Sequence, residues 1–323
     1  MIVGYAPGVS LTLLVTGGAG FIGRALVRQL AARGDRVVVL DALTYAAHPD
    51  ALSRIAGDVE LVQGDVADEG VVAGLLDRMT PDAVLHLAAE SHVDRALADA
   101  APFLRTNVWG TWQVVRACVQ HGVRLVHVST DEVYGDRSGL PTSLEGDPCA
   151  PTNPYSAAKT CGDHLVLSAV RAEGLNAVIT RGANTYGPGQ YPEKLLPLAG
   201  QRWRSGRAMG VYGDGQQVRH WLYVDDHAAG IVAALDRGAP GSIAHFGGEA
   251  STNTDVLARW AAALGVPGDT ERVEDRPGHD RAYDLDDTAT RRALGWSPAT
   301  ALDAGLALTA AWTAAHPQFW DDA

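Results

Sequence analysis

The stretch LTLLVTGGAGFIGRALVRQLAARGDRVVVLD, residues 11–41, decides the fold. It reads as a buried strand, a glycine-rich turn, an amphipathic helix that stops at Gly34, and a second strand ending on Asp41. Gly17, Gly20 and Gly23 stand three residues apart at the turn. In that context the first glycine permits a tight turn, the second lets backbone N–H groups approach a pyrophosphate, and the third lets the helix pack on the strand. A bare tight turn is the competing reading, and the strand–turn–helix setting weighs against it. Asp41 follows Gly23 by 18 residues. A carboxylate there accepts hydrogen bonds from ribose hydroxyls and repels a 2′-phosphate. Ala42 and Leu43 bring no cation, so the expected cofactor is NAD rather than NADP.

Outward from this unit the rhythm continues. VELVQGD (59–65), DAVLHLAA (82–89) and VRLVHVST (123–130) are further apolar runs, each ending in a polar loop. Continuous Val/Leu runs without alternation describe strands covered on both faces, hence a parallel sheet, and the intervening helices give right-handed crossovers. The fold class is α/β: a Rossmann-type doubly wound parallel sheet with a smaller C-terminal substrate-binding lobe. Asp65 ends one of these strands, placed to reach an adenine; a helix cap is the alternative. After residue 181 the chain becomes Gly- and Pro-punctuated, as in GANTYGPGQYPEK (182–194) and VYGDGQQVRHW (211–221). The expected division is an NAD-binding domain over 11–181, rejoined by about 220–245, and a sugar-nucleotide lobe over 182–323. Residues 1–10 read as a ragged extension. SIAHFGG (242–248) reads as one more strand and 252–264 as a helix.

Composition narrows the function. The chain has 323 residues, 46% hydrophobic and 20% charged, with a net charge of -12, which suits a soluble globular protein and argues against nucleic-acid binding. The most basic stretch is only QRWRSGR (201–207). Cys118, Cys149 and Cys161 form no C-x-x-C pair, which suits reduced thiols and a cytoplasmic location. No run reaches the roughly 20 apolar residues of a membrane span. VDDH (224–227) invites a metal reading, but adjacent ligands cannot wrap one ion and no H-E-x-x-H spacing exists, so a helix start is expected and no metal site.

The chemistry concentrates in two stretches. YSAAK places Tyr155 and Lys159 at i and i+4, on one face of a helix. A nearby ammonium lowers a phenol's pKa, which makes Tyr155 a base for a hydroxyl proton as hydride leaves the same carbon. Thr130 can hydrogen-bond that same sugar oxygen. VSTDEVYG (128–135) sets Asp131 and Glu132 side by side at a strand end, where open α/β sheets bind ligands. A pair of solvated loop carboxylates is the bland alternative.

TGGAGFIG (16–23) with YSAAK resembles the extended short-chain dehydrogenase/reductase superfamily. AAESHVDRA (88–96), STDEVYG, NTYGPGQYPEKL (184–195), YGDGQQVRHWLYVDDH (212–227) and DRPGHD (275–280) resemble the dTDP-glucose 4,6-dehydratase family, and the likeness spans residues 11–315. It implies a lyase that oxidises C4 of an NDP-glucose, eliminates water across C5 and C6, and returns hydride to C6, giving a 4-keto-6-deoxy sugar. Oxidation at C4 makes the C5 proton acidic. Two neighbouring carboxylates in a dry site then push their pKa values apart and supply one acid and one base. By resemblance Asp131 is the acid and Glu132 the base, beside the catalytic Thr130, Tyr155 and Lys159.

The resemblance also implies cofactor contacts from Phe21, Ile22, Leu43, Thr44, Asp65, Val66, Leu87, Ala88, Ala89, Ser91, Thr106 and Thr185, besides the three glycines, Asp41, Tyr155 and Lys159. Substrate contacts are implied for Ser91, Asn184, Lys194, Leu195, Val211, Tyr212, Arg219, Arg276 and His279, with Thr130, Asp131 and Glu132. Arginine's planar fork suits phosphate oxygens, although a single arginine is more often a surface ion pair. Four positions depart from the family pattern: Thr185, Gly210, His220 and His245. They are expected around the nucleotide and leave the base, thymine or uracil, open. The Ala- and Gly-rich composition suggests a high-GC genome, and with the resemblance it implies deoxysugar supply to antibiotic biosynthesis.

The family pairs two helices per subunit into a four-helix bundle, so a homodimer is expected through RTNVWGTWQVVRACVQHG (105–122) and PYSAAKTCGDHLVLSAVRAEG (154–174). Val108, Trp112, Val115 and Val119 form an apolar stripe on the first. A stripe that only covers the sheet is the alternative. Rival functions are a UDP-sugar 4-epimerase or decarboxylase, which share Thr130, Tyr155 and Lys159 without the carboxylate pair. A UDP-sugar 4,6-dehydratase, a 5,6-dehydratase that stops at an alkene and a non-catalytic NAD-binding protein are the others.

Overall fold

The computed structural model describes residues 9–317. The extension expected at residues 1–10 therefore falls mostly outside the described residues, as does the end of the second lobe at 318–323. Twelve strands occur among the described residues: β1 (Thr12–Thr16), β2 (Arg36–Asp41), β3 (Asp58–Gln63), β4 (Ala83–His86), β5 (Arg124–Thr130), β6 (Ala177–Gly182), β7 (Asn184–Tyr186), β8 (Met209–Tyr212), β9 (Val218–Tyr223), β10 (Ile243–Phe246), β11 (Glu249–Thr252) and β12 (Thr270–Val273). Seven of them form one sheet in the order β10-β6-β5-β4-β1-β2-β3, and every pairing in it is parallel. The strand order reverses at β1/β4, so a crevice opens beyond their C-terminal ends.

The apolar strands have both faces covered, as their lack of alternation requires. On one side Leu13, Val15, Val37, Val39 and Leu85 pack with Leu26 and Leu30 of the helix Phe21–Arg33 and with Ala228 and Ile231 of the helix Val224–Arg237. On the other, Leu14, Val38, Leu40, Val84 and Leu125 meet Leu75 and Leu76 of the helix Val71–Met79, Val115 and Cys118 of the helix Thr111–His121, and Val166 and Ala169 of the helix Pro154–Glu173. Leu30 is fully buried, and its truncation to Ala costs about 2–5 kcal/mol.

Helix ends follow local chemistry. The first helix ends on Gly34, whose φ of 93° needs a residue without Cβ. The helix Pro154–Glu173 starts in a reciprocal capping box, Asn153 accepting from the Ser156 N–H and Ser156 interacting with the Asn153 N–H, with Pro154 at its first position. The Asn253–Leu264 helix is capped by Thr252, which accepts from the Asp255 N–H at 3.1 Å.

The chain crosses between lobes more than once. Residues 184–223 leave the main sheet, the helix Val224–Arg237 packs back on the helix Phe21–Arg33, with Gln29 donating to the Asp225 carbonyl at 2.8 Å, and β10 joins the sheet edge beside β6. The smaller lobe holds a three-stranded sheet, β11-β9-β7, and the pair β12-β8. Its core sets Trp203, Trp221 and Trp260 among Leu196, Val211, Leu257 and Leu306. VDDH does open a helix, Val224–Arg237.

The 105–122 segment is not one α-helix. Residues Leu104–Gly110 form a π-helix that passes into the α-helix Thr111–His121. Three members of the Val108–Val119 stripe turn inward. Val115 is fully buried in the sheet-facing core, Val119 packs on that core, and Val108 packs on Phe103, Tyr155 and Ala158. The exposed apolar side chains here are Leu104 and Trp109, at 54% and 48%. No helix among the described residues is long and apolar enough to cross a membrane, and Cys118, Cys149 and Cys161 are free. No group of His, Cys, Asp or Glu among them could hold a metal ion.

Candidate active site

A cavity of about 530 Å³ lies at the C-terminal ends of the sheet strands, between the two lobes. Its cofactor half is built from the glycine loop. Gly17 has φ +70°, and a Cβ there would lie 2.6 Å from the Ala88 nitrogen. A Cβ on Gly23 would lie 2.2 Å from the Gly17 carbonyl oxygen. No side chain caps the first turn of the helix Phe21–Arg33, and Gly20, Phe21 and Ile22 line the cavity. Uncapped N–H groups at a helix start, bared by glycines, form a cradle for a pyrophosphate.

Asp41, 9% exposed, accepts from the Ala19 N–H and the Leu43 N–H, both at 2.9 Å. That fixes the carboxylate at the end of β2. Asp65 accepts from the Ala67 N–H at 2.8 Å and pairs with Arg105 at 3.1 Å. It caps no helix, since the helix Val71–Met79 starts from Gly70. Thr44, Val66, Leu87, Ala88, Ala89, Ser91, Thr106 and Thr185 line the same cavity. The donor set and the glycine cradle fit a dinucleotide without a 2′-phosphate.

The reactive half is built where β5 ends. Thr130 accepts from the Glu132 N–H at 3.3 Å, donates to Asp131 Oδ1 at 3.1 Å and hydrogen-bonds Tyr155. It thereby opens the tight turn Asp131–Tyr134. Thr130, Asp131, Glu132, Tyr155 and Lys159 all face the cavity. Burial, then the Glu132 charge, pushes the Asp131 carboxyl up to about 7, and Asp131 Oδ2 has no protein partner. Burial also raises Glu132, but Arg219, Lys194 and Arg276 oppose it. The cations thus oppose the rise on Glu132, while the Glu132 charge adds to the rise on Asp131.

Tyr155 corrects one expectation. Burial first, then the Glu132 and Asp131 charges, hold its phenol well above the ordinary value, with Thr130 opposing. Lys159 does not dominate, because its Nζ donates to the Val128 carbonyl at 2.7 Å and is itself pulled down to about 8 by burial.

The substrate half divides. Asn184 and Lys194 line the cavity, and Lys194 Nζ donates to the Ser91 carbonyl at 2.7 Å, joining the lobes. Arg219 lies over the Tyr283 ring at 4.2 Å and donates to the Asp280 carbonyl at 2.9 Å. Tyr283 reaches Glu132 Oε2 at 3.4 Å and Asp280 at 2.7 Å. Tyr212, Arg276 and His279 gather apart from the main cavity: Arg276 pairs with Asp94 at 2.9 Å, Tyr212 donates to Asp94 at 3.3 Å, and His279 meets the Tyr212 ring edge-on. Leu43, Leu195 and Val211 are placed differently from the expectation. Their side chains do not line the cavity but pack against the hydrophobic cores.

Of the four departures from the family pattern, only Thr185 lines the cavity. His245 is fully buried on β10 against Tyr134, Gly210 lies on β8 with Val273 over it, and His220 pairs with Asp284 at 3.2 Å. Sequence reading passed over Tyr283, Arg105 and the Thr185–His227 contact at 2.7 Å. Each pairs residues far apart in sequence. Asp163 was also missed, although its spacing after Lys159 was visible.

The all-parallel sheet, the glycine cradle and the Thr130–Tyr155–Lys159 group define a Rossmann-type protein of the short-chain dehydrogenase/reductase class. Residues 13–246 match the model of the NAD dependent epimerase/dehydratase family, and the chain belongs to that family. It is 46% identical over 322 residues to a dTDP-glucose 4,6-dehydratase of Streptomyces griseus, covering 96% of each chain. It is 42% identical to one of Xanthomonas campestris pv. campestris, covering 93% of this chain and 92% of that one. The structure superposes with a TM-score of 0.92 on a dTDP-glucose 4,6-dehydratase from Streptomyces venezuelae solved with NAD and TYD bound, at 42% identity, covering 96% and 99% of the two chains. A UDP-glucose 4-epimerase from Thermotoga maritima, solved with UDP-glucose, gives 0.89 at 28% identity, covering 95% and 99%.

Proposed function

We propose that the chain is an NAD-dependent hydro-lyase that converts dTDP-glucose to dTDP-4-keto-6-deoxyglucose and water. The observation that carries this reading is the Asp131–Glu132 pair in the cavity that also holds Thr130, Tyr155 and Lys159, with Asp131 tuned to about 7. When bound, NAD supplies the acceptor for the C4 hydride and the donor that returns it to C6. Tyr155, braced by Thr130, takes the C4 hydroxyl proton as a phenolate, the form that the Lys159 ammonium favours against burial. The ketone at C4 acidifies the C5 proton, and Glu132, ionised under Arg219 and Lys194, removes it and gives it back to C5 when hydride is returned to C6. Asp131, still protonated, delivers its proton to the departing C6 oxygen, which leaves as water. Lys159 would hold the cofactor's ribose, Asp41 its adenosine ribose, and the uncapped helix start its pyrophosphate.

Asn184, Lys194, Arg219, Arg276 and His279 are assigned to the substrate's nucleoside diphosphate. Leu43, Leu195 and Val211 contribute through packing or backbone. A second copy covering Leu104 and Trp109 makes the protein a homodimer, through the segment 104–121 and the helix 154–173. The free thiols suit the cytoplasm. The epimerase reading shares the oxidation residues but has no use for two adjacent carboxylates of unequal pKa. Purified protein supplied in parallel with dTDP-glucose and UDP-glucose tests the proposal. A 4-keto-6-deoxy product from the thymidine substrate supports it. Interconversion of glucose and galactose in place of dehydration overturns it.

A further inference from the structure

The helix that carries Tyr155 and Lys159 carries another buried charge, which the reaction above does not use. Asp163 lies one turn beyond Lys159 and is fully buried. At i and i+4 the two side chains share a face, and both reach adjacent residues of β5. Lys159 Nζ donates to the Val128 carbonyl, and Asp163 Oδ1 lies 3.4 Å from His127 Nε2. Asp163 Oδ2 accepts from Arg181 Nε at 3.0 Å. Arg181, 2% exposed on β6, donates in turn to Tyr134, whose hydroxyl lies 2.7 Å from His245 Nε2. Tyr134 closes the turn that Asp131 and Glu132 open. A buried polar path thus joins the helix bearing Lys159 to the turn bearing the carboxylates.

A buried ion pair is weak support for a fold, because desolvation offsets much of its attraction. A buried lysine beside one gives the pair another use. Around Lys159 stand Tyr155 and Asp163 on its own helix, His127 on β5, Asp131 and Glu132 on the turn that follows, His86 on β4 and Arg181 on β6. His86 and His127 are kept neutral, first by burial, and Arg181 has the sign of Lys159. Glu132 and Asp131 are committed to the substrate. Burial alone would raise Asp163, but the close approach of His127 and the Arg181 charge outweigh it and hold the carboxyl below the usual range. Asp163 is also the group that opposes the burial-driven fall of Lys159.

We propose that Asp163 is a positioning residue for Lys159: its carboxylate, shared with Arg181 and His127, is the internal counter-charge that keeps Lys159 an ammonium seated on the Val128 carbonyl. The inference rests on the reading that Lys159 acts as a cation toward the cofactor ribose. Its sign is fixed. Removing the carboxylate lowers the Lys159 pKa further, so the functions of the ammonium are lost at lower pH than in the native protein.

The test compares Asp163→Asn, the double variant Asp163→Asn/Arg181→Gln and the control Tyr134→Phe with the native protein. The readouts are the NAD dissociation constant of stripped protein across the neutral and alkaline range, and the rate of NADH formation with dTDP-glucose over the same range. Asp163→Asn should show the alkaline loss of binding and of hydride transfer at least about one pH unit lower, the shift expected when an adjacent opposite charge is removed, and the double variant, which also loses the like-charged Arg181, a smaller shift in the same direction. Tyr134→Phe should lower the melting temperature and leave that limb in place. An unshifted limb in either folded Asp163 variant overturns the proposal. So does failure of both to fold where Tyr134→Phe folds, which would assign the pair to stability alone. A native protein that binds NAD but reduces none with dTDP-glucose would fail the functional reading, while the NAD-binding limb would still judge Asp163.

Discussion

Asp131→Asn separates the carboxylate pair's electrostatics from turnover. Asp131 is 3% exposed, and its carboxyl is moved from 3.8 to about 7 by burial first and by Glu132 second. The native state therefore holds this proton more tightly than the unfolded chain does. The group's contribution to stability is full below its unfolded pKa, declines as pH rises toward about 7, and stays lost above it. A shift of about three units at 1.36 kcal/mol each sets a ceiling of roughly 4 kcal/mol. Asparagine has nearly the same volume and cannot ionise, so the variant escapes the loss. Urea unfolding of both proteins, with midpoints and slopes compared in acid and in mild alkali, reads the difference. The variant should gain on the native protein as pH rises, by about 2–4 kcal/mol once above neutrality, while losing dehydration. This is the exchange of stability for function expected of a strained site. A stability difference that does not grow with pH would refute the argument that burial and Glu132 tune Asp131.

Three further outcomes follow from the cofactor cradle and the exposed helix face. Protein denatured after purification should release NAD, and Asp41→Arg should weaken retention, because the loop N–H groups of Ala19 and Leu43 lose their acceptor; release of NADP(H) alone would contradict the role given to Asp41. Gly23→Ala should lower both NAD content and stability, by about 1–3 kcal/mol, since its Cβ would lie 2.2 Å from a backbone oxygen. Gly74→Ala, with nothing within 4 Å of its Cβ, should be stabilising by up to about 1 kcal/mol, and equal thermal shifts for the two variants would remove the steric argument. Sedimentation at micromolar concentration should give a dimer that Trp109→Glu converts to monomer, and a native monomer would end the dimer proposal.

The parts legible in the sequence were those whose physics is local. Strands such as LVHV read correctly because both-face burial leaves unbroken apolar runs, and Gly34 and Thr252 announced helix ends through their own conformational needs. The return of residues 224–246 to the main sheet could be anticipated only loosely, since it depends on the fit of one helix against another. Helical periodicity marked the Val108–Val119 stripe as an apolar face without saying what covers it; Val115 and Val119 meet the sheet side and Val108 meets Tyr155. The chemistry divided in the same manner. Asp131 and Glu132 declared themselves by adjacency, and Lys159 by its spacing from Tyr155. The raised phenol of Tyr155 did not, because desolvation is a property of the folded surroundings. Tyr283 reaches Glu132 from 151 residues away, a distance no local pattern spans.

In the proposed reaction, oxidation and elimination use different residues of one cavity. The direct measurement is NADH absorbance and product formation in parallel, after dTDP-glucose is added to the native protein, Asp131→Asn, Glu132→Gln and Tyr155→Phe. A positioned acid or base contributes about 10²–10⁴-fold, or roughly 3–5 kcal/mol of barrier. Both carboxylate variants should therefore accumulate NADH with little 4-keto-6-deoxy sugar, and the tyrosine variant should show neither signal. Full product formation by both Asp131→Asn and Glu132→Gln would remove the two carboxylates from the elimination.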